Sequence, residues 1–247
     1  MTIYIMAAIG VAVGLVLDEL VARLAREGLE RRDDVDGDTA EDVPPRRSAS
    51  LELGSETGAI ALPRSLTTAA MYRRIIVVAV TAGIFAAIGA RWHAHVAEIP
   101  IVAAYASVLI VCAATDIIAY RVPNVVSYPA ILGALIVGMV LPGASRIDVL
   151  AGGLFAGGLF LAFALLPGGP MGMGDVKLAL FIGLALGLIP VVQAMLIMAV
   201  AGGLVALPLL VLKMLRVRPA TYMFYAPFIS IGAIIVMLFA GTAFRAL

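Results

Sequence analysis

Apolar runs of membrane-crossing length recur along the chain, bounded by charge, proline or glycine, at about residues 3–22, 75–90, 98–115, 125–141, 149–166, 176–189, 191–212 and 226–244. A spanning helix needs roughly 20 mostly apolar residues. The runs 75–90 and 176–189 are short for the hydrocarbon, and must borrow flanking residues or sit where the bilayer thins. With 63% hydrophobic residues, 13% charged residues and a mean hydropathy of +1.09, the chain has too few polar groups to cover a water-soluble surface. The expected fold is therefore all-α, a polytopic integral membrane protein of about eight transmembrane helices whose core is helix against helix.

The net charge of +1 singles out no partner. The arginines fall in loops between apolar runs and form no basic patch suited to nucleic acid, so membrane lipid is the expected surround. The single cysteine, Cys112, lies inside an apolar run. It excludes an intramolecular disulfide and a cysteine-based zinc site, and reads as a small core residue. The run Ile3–Leu17 has no basic segment before it and is followed by Asp18-Glu19-Leu20, not by a small-residue cleavage site. It reads as a retained first span.

Cations orient the spans. With the N-terminus outside, Arg23, Arg26, Arg31, Arg32, Arg46, Arg47, Arg64, Arg73, Arg74, Arg121, Lys177, Lys213, Arg216 and Arg218 fall inside, against Arg91, Arg146 and Arg245 outside. Both termini are then outside. Three parts result: a first transmembrane helix (1–24), a cytoplasmic polar loop (25–74) and a seven-helix transmembrane region (75–247). The loop holds an acidic run, Asp33, Asp34, Asp36, Asp38, Glu41 and Asp42, and then Pro44-Pro45. Its first half is expected to have little fixed structure, and its spacing lacks the glycine and terminal Glu of a calcium loop.

Small-residue runs such as Ala151-Gly152-Gly153, Ala156-Gly157-Gly158 and Ala201-Gly202-Gly203 read as helix-packing surfaces. His93-Ala94-His95 lacks a third ligand nearby, so no metal is expected. Trp92 beside Arg91 reads as an interfacial anchor, as do Tyr222, Tyr225, Arg216 and Arg218 in the last inner loop.

Charge within or beside an apolar span costs roughly 2.5–3.5 kcal/mol at a helix centre, so five acids need an account. Asp148, after Ser145-Arg146, reads as a first-turn acid or N-cap. Asp18 and Glu19 lie at the inner end of the first span with Arg23 four or five residues on, and suit a structural or substrate-positioning role. Asp116, ending the third span, and Asp175, opening the sixth, fall at the same inner depth. Two carboxylates there can converge on one water. The ionised one takes its proton while the neutral one hydrogen-bonds the peptide carbonyl, and because like charges held close do not both ionise easily, the pair shares a proton. Glycines beside Asp175 would let an extended substrate backbone approach. Spacing alone leaves open a second reading, an ion pair of each aspartate with Arg121 or Lys177.

Gly172-Met173-Gly174-Asp175, followed by Val176-Lys177-Leu178, resembles the GxGD motif of the type IV prepilin peptidases. Asp116, Arg121 and Pro123-Asn124 resemble that family's first motif. Gly14, Arg23 and Leu24 match its first-span ending, with Asp18 in place of an asparagine and Ala25 in place of a proline, and Ala226-Pro227-Phe228 is similar to the start of its last helix.

The resemblance implies an aspartic endopeptidase of the bacterial inner membrane with Asp116 and Asp175 catalytic. Gly172, Gly174, Lys177, Arg121, Pro123 and Asn124 would support motif and substrate. Its substrates would be prepilin or pseudopilin precursors, cut after a short basic leader at the cytoplasmic face. Family members often also methylate the product with S-adenosylmethionine, using an inner loop with CxxC pairs. Here that loop, the counterpart of the methyltransferase region, has no cysteine. Proteolysis itself would use no cofactor. A presenilin-like protease would pair GxGD with Tyr-Asp, whereas Thr115 precedes Asp116. A catalytically inactive assembly protein is the other alternative.

Overall fold

The computed structural model describes residues 1–38, 64–141, 145–166, 171–214, 225–243 and 245–246. These form eight α-helices: α1 (Thr2–Asp38), α2 (Arg64–Arg91), α3 (Ile99–Ala119), α4 (Asn124–Val140), α5 (Arg146–Ala164), α6 (Met173–Leu186), α7 (Leu188–Met214) and α8 (Ala226–Phe239). A two-residue bridge, β1 (Gly241–Thr242) with β2 (Arg245–Ala246), follows α8.

Five helical segments are long and apolar enough to cross a membrane: Thr2–Glu27, Ala70–Arg91, Ile99–Ala119, Arg146–Ala164 and Leu188–Pro208. Asn124–Val140 and Ala226–Phe239 are apolar but shorter. The protein is thus a helical, multi-pass membrane protein.

The first helix departs from expectation. It does not stop near Leu24 but runs 37 residues to Asp38, so the first half of the inner loop is helical that far. Once a span has nucleated a helix, each further residue adds a hydrogen bond without the nucleation cost, and residues 23–27 are good helix formers. At about 1.5 Å per residue α1 is about 55 Å long, well beyond the roughly 30 Å hydrocarbon. Glu41, Asp42 and Pro44-Pro45 lie outside the described residues, as do Arg216, Arg218 and Tyr222.

α1 and α2 form a close hairpin. A Cβ on Gly10 would lie 2.8 Å from the Ala82 Cα, and one on Gly14 2.9 Å from the Val78 Cα. Without side chains there, the backbones approach and dispersion contacts multiply. Asp18 is buried in this hairpin and takes a 2.9 Å ion pair from the Arg73 Nε of α2, while Glu19 pairs with Arg23 at 3.1 Å. Leu17 and Val21 then pack with Val77, Ile110 and Val111, seating the hairpin on α3.

The main core gathers α3, α6 and α8, with Leu109, Cys112, Leu178, Phe181, Ala233 and Val236 buried. The Tyr105 and Phe181 rings meet edge to face at 5.5 Å. The small-residue run of α5 packs on α6: a Cβ on Gly152 would strike the Gly183 carbonyl, and one on Gly153 the Leu184 side chain. Among the described residues, a Cβ on Gly158 or Gly203 would meet no neighbour within 4 Å. Trp92 is not an interfacial anchor. It is fully buried, and its Nε1–H donates to the Met237 carbonyl at 3.3 Å.

Candidate active site

The last turn of α3 carries Asp116. Behind it Tyr120 closes the helix in the left-handed region, φ 52° and ψ 37°, its N–H donating to the Asp116 carbonyl at 2.8 Å. That conformation costs a residue with a Cβ roughly 1–2 kcal/mol, and it turns the chain sharply into Arg121-Val122-Pro123. Pro123, extended at φ −72° and ψ 127°, is the N-cap of α4. Its carbonyl accepts from the Val126 and Ser127 amides and from the Ser127 hydroxyl at 3.0–3.2 Å.

Asp175 is the third residue of α6, with Gly172 as N-cap at φ −81° and ψ 156°. Its amide donates to the Gly172 carbonyl at 3.1 Å. The two glycines differ in surroundings. A Cβ on Gly174 would sit 2.9 Å from the Val122 Cβ, so Gly174 lets the two motifs close on each other. Among the described residues, a Cβ on Gly172 would meet nothing nearer than the Gly174 nitrogen at 3.9 Å.

The fold thus brings Asp116-x4-Arg-x-Pro-Asn against GxGD. Besides the Gly174–Val122 contact, the Lys177 Nζ donates to the Asn124 Oδ1 at 2.7 Å and lies 4.5 Å from the Tyr128 ring centroid. Asp116 and Asp175 are both buried, at 9% and 8% exposure. Neither is in an ion pair among the described residues, where Arg23–Glu19 and Arg73–Asp18 are the two pairs present. The reading of each aspartate as the partner of Arg121 or Lys177 is therefore set aside. Arg121 is exposed, and Lys177 faces α4.

The Asp116 Oδ2 accepts the backbone N–H of Ala226, the first residue of α8, at 3.2 Å. That donor was legible in part: Pro227 in the first turn marks a helix start, where amides lack intrahelical acceptors. Its target was not. Tyr128, one turn beyond Asn124, was likewise not singled out.

The remaining acids are structural in this geometry. Asp18 is tied to Arg73, not to Arg23. Asp148 does not cap its own helix: Ser145 does, accepting from the Asp148 amide at 3.4 Å. The Asp148 Oδ1 reaches instead to the Leu188 N–H, 3.1 Å away, and caps α7. His93 bonds the Ala90 carbonyl and His95 lies against Trp92. No group of three or more His, Cys, Asp or Glu able to hold a metal occurs among the described residues.

A multi-pass helical protein with two buried carboxylates on neighbouring motifs, neither in an ion pair among the described residues, is the class that fold and site define. Residues 103–207 match the type IV leader peptidase family, Peptidase_A24. This segment holds both aspartates, and the family it matches is the one its two motifs resemble. No curated protein and no solved structure matches the chain.

Proposed function

We propose that this protein is an aspartic endopeptidase that removes the short leader from prepilin or pseudopilin precursors, with Asp116 and Asp175 as its catalytic pair. The observation that carries the reading is the convergence of the two motifs, Gly174 on Val122 and Lys177 on Asn124, around two buried carboxylates of which neither is in an ion pair among the described residues.

In this mechanism the pair holds one proton. The ionised carboxylate takes a proton from water, whose oxygen adds to the scissile carbonyl carbon while the protonated partner hydrogen-bonds the carbonyl oxygen. The tetrahedral intermediate collapses with cleavage of the C–N bond, and the departing amine takes up a proton from the pair. Water and peptide bond account for all atoms, so no cofactor is required. S-adenosylmethionine enters only if the product is also methylated, a step for which the cysteine-free loop offers no zinc-bearing module.

We place the site at the cytoplasmic face of a bacterial inner membrane, with all eight helices crossing or entering the bilayer. The distribution of cations supports this orientation, fourteen on one side against three on the other. A single-span precursor with a positive leader inside presents its scissile bond at this depth. Gly172, with no described residue crowding its Cα hydrogen, is where we place the extended substrate backbone as it passes the dyad.

The test is co-expression with a prepilin-like precursor and mass analysis of the mature N-terminus. Loss of the leader by wild type, and its retention with the Asp116→Asn/Asp175→Asn double variant, is the expected result. The same mass shows whether a methyl group is added. Full cleavage by the double variant would overturn the assignment in favour of a membrane assembly role.

A further inference from the structure

We propose that the first turn of α8 is a third part of the catalytic apparatus, with the Ala226 backbone N–H as the positioning group that fixes Asp116; this rests on the dyad reading above. α8 lies outside the family-matched segment 103–207 and supplies neither aspartate. Yet the Ala226 N–H donates to the Asp116 Oδ2 across 3.2 Å in a buried setting.

Local chemistry makes this donor specific. Ala226 and Pro227 are the first two residues of α8, and Pro227 has no N–H. Ala226 therefore carries the only amide hydrogen in those two positions, at the helix end where partial positive charge accumulates. Ala226 is fully buried, so water does not compete for that hydrogen.

A second bond sets the helix in place. One turn on, the buried Ser230 hydroxyl donates to the Leu109 carbonyl of α3 at 3.1 Å. As α8 advances from 226 to 230, its partners on α3 recede from 116 to 109, so the helices run antiparallel. Two links about a turn apart fix both translation and rotation. Ala233, fully buried two turns from Ala226, continues the same packed face.

The consequence for catalysis is orientation. With Oδ2 held by α8, the Asp116 carboxylate is prevented from turning about its terminal bond, and Oδ1 is the oxygen left for the shared proton and the attacking water. A misplacement of about 1 Å at a reacting group costs about a hundredfold in rate, so the contact is worth detecting kinetically.

The experiment uses the full-length purified protein, a purified prepilin-like precursor and a matched pair of overpacking variants. Ala226→Leu lifts the first turn off Asp116, while Ala233→Leu strains the same helix–helix contact further along. The expected result is a fall in kcat of about a hundredfold for Ala226→Leu with KM within twofold. Ala233→Leu loses thermal stability but keeps kcat per folded molecule. Ser230→Ala, a small change that leaves the fold intact, should lower kcat with KM unchanged, and serves if Ala226→Leu does not fold.

A readout independent of turnover is the Asp116 carboxyl band in the infrared difference between wild type and Asp116→Asn. It should move in Ala226→Leu and stay in Ala233→Leu. Wild-type kcat in Ala226→Leu or in Ser230→Ala, or an equal loss in Ala233→Leu, would overturn the proposal. A band shift in Ala226→Leu together with a wild type that cuts no precursor would instead overturn the peptidase reading and leave the α8–Asp116 link standing.

Discussion

The link between Lys177 and Asn124 offers a sharp test of how the two motifs are held. Lys177 stands two residues after Asp175, Asn124 two after Val122, and the 2.7 Å hydrogen bond between them runs parallel to the Gly174–Val122 contact. A hydrogen bond to a charged group contributes about 1.5–3 kcal/mol, and a cation over an exposed tyrosine adds about 0.5–1 kcal/mol. Lys177 is only part-buried, so solvent screens both. The low end of the sum, about 2 kcal/mol, corresponds to about a thirtyfold change in an equilibrium constant.

That factor sets the fraction of molecules with the dyad correctly closed. In a single-turnover assay on a purified precursor, Lys177→Met should lower the cleavage rate by about ten- to thirtyfold. Asn124→Ala should lower it by a smaller factor, because the Tyr128 contact survives. The double variant should be no slower than Lys177→Met, the signature of two residues acting through one contact. If Asn124→Ala and Tyr128→Ala both cleave at the wild-type rate while Lys177→Met does not, the effect belongs to the charge of Lys177 and the positioning argument is refuted.

Other expectations follow from the same geometry. Gly174→Ala should lower the melting temperature and cleavage together, because its Cβ would press 2.9 Å from the Val122 Cβ, whereas Gly172→Ala should leave the melting temperature unchanged; thermal denaturation separates them. Asp18→Ala leaves the part-buried Arg73 without its carboxylate and should cost about 2 kcal/mol, partly restored in the Asp18→Ala/Arg73→Met double variant, as read from thermal shifts. Asp148→Ala removes the cap on α7 and should cost about 1 kcal/mol while cleavage by the folded protein is unchanged.

The helices were legible because a bilayer demands runs of apolar residues, and those runs are written directly in the chain. Helix ends were less so. The stretch after Leu24 is charged and looks like a loop, yet arginine and glutamate are good helix formers beside an existing helix, and α1 continues to Asp38. Trp92 was misread for a tertiary reason: a tryptophan beside an arginine at the end of an apolar run suits an interface, until the end of α8 covers it and accepts its N–H at Met237. Asp148 could be placed at a helix start, but only the chain reversal between α6 and α7 shows which helix it caps.

The candidate site divides along the same line. Asp116 and Asp175 were two of five acids at the edges of apolar spans that needed an explanation, and their shared depth and flanking motifs singled them out as candidates. The meaning of their neighbours depended on packing. Gly174 is required by Val122, Lys177 faces Asn124 and neither aspartate, and the donor to Asp116 is a main-chain amide some 110 residues away that no side-chain pattern announces.

The most direct measurement is the cleavage rate of one purified precursor by Asp116→Asn, Asp175→Asn and the double variant, each checked for folding by its melting temperature. Groups that work as one unit show non-additive losses. The account predicts that each single substitution abolishes leader removal as completely as both together, with melting temperatures at or above that of wild type. Sustained cleavage by either folded single variant would contradict the dyad.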